Sequence, residues 1–179
     1  MFSDPRKNIE QLGLTPGMKV ADLGAGSGFY TYAAAFTVGD GGRVYAVDIQ
    51  KDLLSKIKNE GAKQHLFNIE TIWGDLEKVG GTRLQEHLLD AAIVSNVLFQ
   101  IENKENFFKE LERILKPGRH VLLVDWADGD SSIGPKGDKI ITEAVAKKLF
   151  EDHGFVYVTN IQAGDHHYGM IFKGKDARK

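Results

Sequence analysis

Acidic, glycine and amide residues recur in this sequence where apolar runs end. The first run ends in Asp22-Leu-Gly-Ala-Gly-Ser-Gly, with glycines at positions 24, 26 and 28. Later runs end at Asp48, Asp75 and Asn96. Glycine lets a ligand approach the backbone closely, while carboxylates and amides form hydrogen bonds with hydroxyl and amino groups. The combination predicts a binding site for a polar, nucleoside-like small molecule.

The spacing of the glycines excludes two common nucleotide motifs. A Walker loop needs a Lys-Ser or Lys-Thr pair after its last glycine, and none follows here. A nicotinamide fingerprint has glycine where this sequence has Phe29. Asp22 favours a ligand with a positive charge, and the free N–H groups of a helix starting near Phe29 favour a carboxylate. A zwitterionic amino acid with an extra cationic centre, such as S-adenosylmethionine, satisfies both.

The other residues predict an order of contacts along such a ligand. Asp48 can accept hydrogen bonds from both ribose hydroxyls, and Ile49 can lie against the adenine ring. Asp75 is a suitable acceptor for the adenine amino group, and Asn96 lies beside the methionine end. Each residue has an alternative interpretation, because an Asp after a strand often caps a helix and Gly-Asp often forms a turn. Four such residues at successive strand ends favour the ligand site.

Strands and helices alternate along the chain, which predicts an open α/β sheet that is parallel until a final antiparallel hairpin. In such sheets ligands bind at the carboxyl ends of the strands. We expect Gly61 to cap the third helix. We expect the fourth helix to carry Leu115 in its apolar stripe and to end at Pro117 and Gly118. The predicted strands cover MKVADLG, RVYAVDI, NIETIWGD, LLDAAIVSNVL, HVLLVDW, FVYVTNI and HHYGMIF.

Length and composition narrow the class of protein. The 179 residues predict a single domain over residues 1–179. The formal net charge of -2 argues against a dedicated nucleic-acid binder. The absence of cysteine excludes disulfides, thiolate zinc sites and cysteine nucleophiles. No apolar run approaches the roughly 20 residues of a membrane span, and the first residues carry no apolar leader, so we expect no membrane association and a cytoplasmic location.

The chain resembles the class I S-adenosylmethionine-dependent methyltransferases, close to small bacterial and archaeal domains near the ubiquinone/menaquinone methyltransferase group. The segments that carry the resemblance are VADLGAGSG, VYAVDI, WGDLE, LDAAIVSNVLFQI and FFKELERILKPG. It implies a Rossmann-like three-layer sandwich with a seven-stranded sheet of order 3-2-1-4-5-7-6, strand 7 antiparallel. It also implies S-adenosylmethionine as cofactor, S-adenosylhomocysteine as product and a small-molecule acceptor. The predicted cofactor-binding residues are Asp22, Gly24, Ala25, Gly26, Gly28, Tyr30, Asp48, Ile49, Gly74, Asp75, Leu76 and Asn96.

The sequence departs from the family pattern in two places. Phe99-Gln100 stands where several small-molecule methyltransferases have a histidine pair, so no catalytic base carries over at that position. Arg119-His120 replaces a second glycine after Lys-Pro-Gly, in a turn that we expect to lie away from the cofactor. Arsenite methylation, which some relatives perform through cysteines, is excluded by the absence of that residue.

The acceptor side is predicted from position alone. Phe99, Trp126, His166 and His167 are expected near the acceptor, with the two histidines as candidate bases and no metal between them. Residues 1–16, a short helix and turn, are expected to form a lid together with the loop from residue 128 to 138. Other functions stay open: methylation of RNA or protein, a non-catalytic S-adenosylmethionine-binding subunit and, last, a nicotinamide reductase. Whether O, N, C or S is methylated also stays open.

Overall fold

The computed structural model describes residues 3–127, 134–135 and 137–177. Its centre is a seven-stranded sheet of order β3-β2-β1-β4-β5-β7-β6. The pairs β1–β2, β2–β3, β1–β4 and β4–β5 are parallel, and β7 is antiparallel to both β5 and β6. The strands are β1 Lys19–Leu23, β2 Arg43–Asp48, β3 Ile69–Trp73, β4 Leu89–Ser95, β5 Leu115–Trp126, β6 Val156–Ile161 and β7 His167–Lys173. The predicted fold class and strand order are confirmed.

Helices cover both faces of the sheet, which gives the three predicted layers. They are α1 Pro5–Leu12, α2 Phe29–Val38, α3 Lys51–Lys63, α4 Lys104–Ile114 and α5 Glu143–Asp152. Strand β4 shows why both faces must be covered. Ala92 and Val94 pack in the cluster that contains α4 and α5, while Ala91 and Ile93 pack against α1 and α2. Alternate residues of a strand point to opposite faces, so an almost wholly apolar strand requires apolar partners on each side.

Two details of the predicted elements are wrong. Helix α4 ends at Ile114, and Leu115 already has extended dihedrals and begins β5, where it pairs with Leu89. The proline ring at position 117 disfavours helical geometry at the residue before it, which brings the end of the helix forward. Gly61 does not cap α3 but lies buried inside it. A Cβ atom there would be 3.0 Å from Ile69 Cδ1, so the glycine allows α3 to pack closely on β3.

Among the described residues, no helix is long and apolar enough to cross a membrane.

A buried carboxylate on α4 fixes the segment that connects β3 to β4. Glu110 is 1% exposed and accepts hydrogen bonds from the Gly80 and Thr82 N–H groups and from the Thr82 hydroxyl. The guanidinium of Arg113 adds contacts of 2.8 and 2.7 Å. Burial raises the pKa of Glu110, but the hydrogen bonds from Arg113, Thr82 and Gly80 outweigh it and hold the pKa below its usual value.

We expect Glu110→Ala to lower the free energy of unfolding by about 3–5 kcal/mol, because it leaves the half-buried guanidinium of Arg113 and three other donors without their acceptor. Urea denaturation measures the change. Glu112→Ala is the matched control, since Glu112 is exposed and pairs with Lys175 at the surface, where loss of an ion pair costs about 1 kcal/mol or less. Equal effects of the two substitutions would contradict the structural role of Glu110.

Candidate functional site

A cavity of about 390 Å³ lies at the carboxyl edge of the sheet, where β1, β2, β3 and β4 end. All twelve predicted cofactor-binding residues line it: Asp22, Gly24, Ala25, Gly26, Gly28, Tyr30, Asp48, Ile49, Gly74, Asp75, Leu76 and Asn96. Eight further residues line it without having been predicted: Ser27, Phe29, Gln50, Glu77, Ser95, Val97, Gln100 and Ile101. Most of these are sequence neighbours of the predicted ones. The residues that end the strands therefore lie together at one cavity, and chain continuity accounts for its remaining walls.

The glycine loop is held across the end of β2. The N–H groups of Gly24 and Ala25 both donate to the Val47 carbonyl, at 2.8 and 3.1 Å. The Gly26 N–H donates to the Asp48 carboxylate at 2.9 Å. These bonds tie the loop after β1 to the neighbouring strand and fix the position of the α2 N-terminus.

Backbone conformation and space explain the glycines of this loop. Gly24, Gly26 and Gly28 have φ angles of 76°, 52° and 82°, in the left-handed region that side chains disfavour. A Cβ atom would also lie 2.6 Å from Val97 Cγ2 at Gly24 and 2.7 Å from Ile57 Cγ1 at Gly28. At Gly26 the nearest atom is a backbone oxygen 3.9 Å away, so its missing side chain leaves open space. Only this glycine leaves room for a ligand against the loop.

Asp48 is 7% exposed and lies between the loop and the start of α3. One carboxylate oxygen accepts from the Gly26 N–H and the other from the Gln50 N–H, at 2.9 and 2.8 Å. A carboxylate has about four lone-pair sites, so each oxygen can accept a further hydrogen bond from a ligand. The side chain is thus oriented by the protein and still able to bind.

Asp22 is buried beneath the loop, at 2% exposure. The Thr31 hydroxyl donates to its carboxyl group at 2.6 Å. Burial raises the pKa of Asp22 to about 6, although the hydrogen bonds from Thr31 lower it, and the charge of Asp48 raises it further. A cation in the cavity would favour the ionised form of this group.

The far end of the cavity is formed by residues after β2 and β3. Ile49 is 64% exposed, and the Trp73 indole N–H donates to its carbonyl at 3.0 Å. The Asp75 carboxylate accepts from the Glu77 N–H at 2.9 Å and pairs with Lys78 at 3.0 Å. The Glu77 N–H bond and the Lys78 side chain hold the pKa of Asp75 below its usual value. Asp75 therefore forms the local turn and also lines the cavity.

Asn96 lies where β4 passes into a short 3-10 turn, Leu98–Gln100. Its φ of 53° is left-handed, a conformation that asparagine adopts more readily than most residues. The Asn96 N–H donates to the Val124 carbonyl at 2.8 Å, and the Gln100 side chain donates to the Asn96 carbonyl at 3.1 Å. Its Oδ1 atom is buried and has no hydrogen-bond partner in the described part of the chain. Because an unpaired buried carbonyl is costly, this side chain is a candidate for a ligand contact.

Glu77 joins two walls of the cavity, a role that the sequence does not reveal. Its Oε1 atom accepts from the N–H groups of Glu102 and Asn103, at 2.6 and 2.5 Å, just before α4. The Asn106 side chain donates to the Glu77 carbonyl at 3.1 Å. The wall after β3 is therefore anchored to the wall after β4, across 25 residues of sequence.

Tyr30 connects the cavity to α1, a second contact that the sequence does not reveal. The Asn8 side chain is 1% exposed and donates to the Tyr30 hydroxyl at 2.7 Å. The Ser3 hydroxyl lies 3.0 Å from the Tyr30 hydroxyl and accepts a hydrogen bond from Asn8 at 3.0 Å. Because Asn8 is buried, its amide requires hydrogen-bond partners, and the hydroxyls of Tyr30 and Ser3 supply them.

The four predicted acceptor residues, Phe99, Trp126, His166 and His167, are absent from the lining of the cavity as the structure describes it. Trp126 and His167 pair across β5 and β7 and their rings lie 4.3 Å apart. His166 is not on the strand as expected but in the turn before it, at φ 64°, and it is exposed. Phe99 is half-buried in the 3-10 turn. Most of the predicted lid loop, residues 128–133 and 136, lies outside the described residues.

Asp125 is a buried carboxyl beside this cluster that the sequence analysis did not select. It is 2% exposed and accepts from the Trp126 N–H at 2.9 Å. Burial raises its pKa to about 6, although the N–H groups of Trp126, Leu98 and Phe99 lower it. The carboxyl group thus lies against the turn that follows β4.

Comparison with known proteins relates this site to one family. Residues 14–168 match a family described as "Methyltransferase domain". An arsenite methyltransferase of Halobacterium salinarum is 31% identical over 112 residues, which are 63% of this chain and 28% of that protein. The ubiquinone/menaquinone biosynthesis C-methyltransferase UbiE of Shewanella sp. (strain W3-18-1) is 27% identical over 82% of this chain and 57% of its own length. The chain thus spans between about a quarter and three fifths of these two relatives.

Solved structures give the same relation. A SAM-dependent methyltransferase from Aquifex aeolicus superposes with a TM-score of 0.87 and 26% identity, covering 96% of this chain and 90% of that one. The [4+2]-cyclase SpnF superposes with a TM-score of 0.81 at 11% identity, covering 97% of this chain and 81% of that one, which indicates shared fold alone. The second likeness shows that the architecture by itself does not define the chemistry.

The raised pKa of Asp22 predicts a pH-dependent stability. A carboxyl group with a folded-state pKa of about 6, above 3.8, binds its proton more tightly when folded. Its contribution to stability is therefore full below the lower value and lost as the pH rises through about 6. We expect Asp22→Asn to gain up to about 3 kcal/mol relative to the wild type between about pH 4 and pH 7. Urea denaturation of both proteins across that range checks this, and parallel stability curves would refute it.

Proposed function

The chain belongs to the methyltransferase-domain family matched over residues 14–168, and from that membership we propose that it transfers a methyl group to a small-molecule acceptor. The observation that supports this most is the convergence of all twelve predicted cofactor residues on one cavity. Two relatives, an arsenite methyltransferase and a ubiquinone/menaquinone biosynthesis C-methyltransferase, support the acceptor class. Arsenite itself is not carried over, because this chain has no cysteine.

The family relation confirms the predicted cofactor, S-adenosylmethionine, with S-adenosylhomocysteine as its product. The residues of the cavity fit it. Gly26 leaves open space beside the α2 N-terminus, and Gly28 caps that helix without a side-chain hydrogen bond, so N–H groups remain for a carboxylate. Asp48 retains acceptor capacity, and the buried Asn96 Oδ1 still needs a donor. The cavity volume of about 390 Å³ lies within the usual range for small-ligand sites.

We assign the contacts as follows. Asp48 accepts from the ribose hydroxyls, and Ile49 covers one face of the adenine ring. Asp75 accepts from the adenine amino group and Leu76 lies beside it. Asn96 and the glycine loop hold the methionine end, where Asp22 favours positive charge. The side chains of Asp22 and Asp48 are oriented by hydrogen bonds within the protein, which reduces the entropy lost on binding.

The bound cofactor supplies a methyl group already activated by a positive sulfur. The protein therefore has to align the acceptor and exclude water, and a base is needed only if the acceptor must lose a proton. Phe99, Trp126 and His167 are assigned to the acceptor side, with His166 at its outer rim. His167 is the better placed of the two candidate bases, since Trp126 holds its ring and it is half-buried, whereas His166 is exposed.

We also propose that residues 1–179 form one methyltransferase domain with a cytoplasmic location, and that the N-terminal segment forms part of the acceptor wall. Besides the Asn8–Tyr30 contact, Gln11 exchanges two hydrogen bonds with Gln162, at 3.3 and 2.9 Å. These contacts hold α1 against the sheet, so lid movement would require breaking them.

We expect cofactor and acceptor together to protect this segment from limited proteolysis. Equal cleavage rates with and without ligands would contradict the lid.

We expect Asp48→Ala to weaken S-adenosylmethionine binding by about 1–3 kcal/mol, because donors on the ligand and the loop lose their shared acceptor. Isothermal titration calorimetry measures the affinity, and thermal denaturation shows whether the variant is folded. Asp52→Ala on the exposed side of α3 is the matched control and should bind as the wild type does. Wild-type affinity in the folded Asp48→Ala protein would refute the assignment.

Incubation with S-adenosylmethionine carrying a labelled methyl group and a fractionated metabolite extract tests the activity. We expect the label in a small-molecule fraction. Label in RNA or protein would contradict a small-molecule acceptor and indicate a macromolecular one. Tight cofactor binding without transfer to any fraction would indicate a non-catalytic binding subunit instead.

A further inference from the structure

Helix α2 exposes large aromatic side chains on its outer face. Phe29 is 68% exposed and Phe36 is 72% exposed, whereas Tyr30, Ala34 and Val38 on its inner face are buried. The two phenylalanines are seven residues apart, two helical turns, so they project from the same face. Large apolar side chains grouped on a surface mark interaction sites more often than single exposed ones do.

The same face carries a groove beside these side chains. It has a volume of about 1010 Å³ and lies between α1, α2 and α3. Tyr32 and Ala33 line it at the middle of α2, between the two phenylalanines, and Leu66 adds apolar surface. One surface therefore contains both projecting rings and a recess of the size that rings could enter. A surface with both features can be complementary to itself.

The spacing of the α2 residues points to a particular occupant. Positions 29, 32, 33 and 36 are separated by three, one and three residues, so the pattern reads the same in both directions along the helix. A second α2 packed antiparallel would place Phe29 of one chain opposite Phe36 of the other, with Tyr32 and Ala33 near the two-fold axis. Such an isologous contact is the usual arrangement of homodimers. We propose that α2 and its flanking groove, the α2 face, form the interface of a symmetric dimer of this chain.

The charges around the α2 face are compatible with self-association. Arg6, Lys56 and Lys63 supply positive charge at the groove, and Asp4 and Glu60 supply negative charge. A rim of one sign would repel a second copy, whereas a rim of both signs allows opposite charges to meet across the two-fold axis.

The two rings supply between a quarter and a half of the area that an interface buries on each partner. A phenylalanine presents roughly 150–250 Å² when exposed, so the two rings contribute roughly 200–350 Å² per chain at their observed exposure. A standard interface buries about 800 Å² per partner. The rings would supply its centre, and the walls of the groove on α1 and α3 would supply the rest.

This interface would lie beside the cofactor cavity, because Phe29 and Ser27 line both. The inference goes beyond the proposed function and does not depend on it, since its tests measure association and need no methyl transfer.

Analytical ultracentrifugation over a range of protein concentrations tests the dimer. We expect the wild type to reach twice the chain mass of 19.8 kDa. Phe36→Glu should weaken dimerisation at least tenfold, because it places charges against apolar surface at both symmetric contacts. Val156→Asp is the control, since Val156 is 58% exposed on the edge strand β6, away from α2. A monomeric wild type at all concentrations, or loss of the dimer in the control but not in Phe36→Glu, would overturn the proposal.

The absence of cysteine allows a geometric test by disulfide crosslinking. In the antiparallel arrangement residues 29 and 29 of the two chains are about 10 Å apart along the helices, beyond the roughly 7 Å that a disulfide spans between Cα atoms. Phe29→Cys and Phe36→Cys alone should therefore stay uncrosslinked under oxidation. The double variant should form a covalent dimer, because the cysteine at position 29 of one chain lies opposite the cysteine at position 36 of the other. A double variant that stays monomeric, or efficient crosslinking of either single variant, would overturn the arrangement.

Discussion

The glycine loop depends on its attachment to the end of β2. Three backbone N–H groups, from Gly24, Ala25 and Gly26, donate to the Val47 carbonyl and the Asp48 carboxylate. The parallel pairing of β1 and β2 places these acceptors beside the loop, since Leu23 and Val47 are in register. One carboxylate thus shapes the loop, meets the start of α3 and keeps capacity for a ligand. In another register of β1 and β2, the Asp48 carboxylate and the Val47 carbonyl would no longer lie beside the N–H groups of the loop.

Buried carboxyl groups in this protein lie in two different electrostatic environments. Glu110 is buried but surrounded by donors, so it stays ionised and fixes the connection between β3 and β4. Asp22 and Asp125 are equally buried with fewer donors, and their pKa values rise to about 6. The first arrangement stabilises the fold at neutral pH, whereas the second costs stability there. Asp22 and Asp125 both lie at the carboxyl edge of the parallel strands. In enzymes, groups with shifted pKa values are concentrated at functional sites.

The sequence predicted the parts of this structure that depend on local pattern. The alternation of strands and helices, the final hairpin and the glycine loop follow from apolar periodicity and from the residues that end each strand. The strand order was expected from the family resemblance alone. The convergence of the strand-end residues on one cavity was predictable because the carboxyl ends of parallel strands must meet at one edge. The mistake at Leu115 arose because the apolar stripe of α4 was extended past a local signal, the proline two residues on. The mistake at Gly61 arose because tertiary packing, a tight approach to Ile69, determines the position of this glycine.

The contacts that escaped prediction join segments far apart in the chain. No periodicity in the sequence indicates the hydrogen bonds of Glu77 with Glu102 and Asn103, or the bond between Asn8 and Tyr30. The surroundings of Trp126 and His167 are the least predictable region for a related reason. Trp126 and His167 are paired by the antiparallel register of β5 and β7. The local sequence does not determine that register, and it does not determine which side chains of a loop face a ligand.

The position of β7 between β5 and β6 has a consequence for how the chain is made. Strand β6 is synthesised before the strand it pairs with, so it has no partner strand until β7 follows. Helix α1 lacks part of its contacts for longer, because the Gln11 hydrogen bonds with Gln162 join residues 151 positions apart. Domains fold from the N-terminus during synthesis only as far as their partners exist, and such distant contacts slow folding. The contacts that hold α1 would therefore be among the last parts of the molecule to form, after the glycine loop.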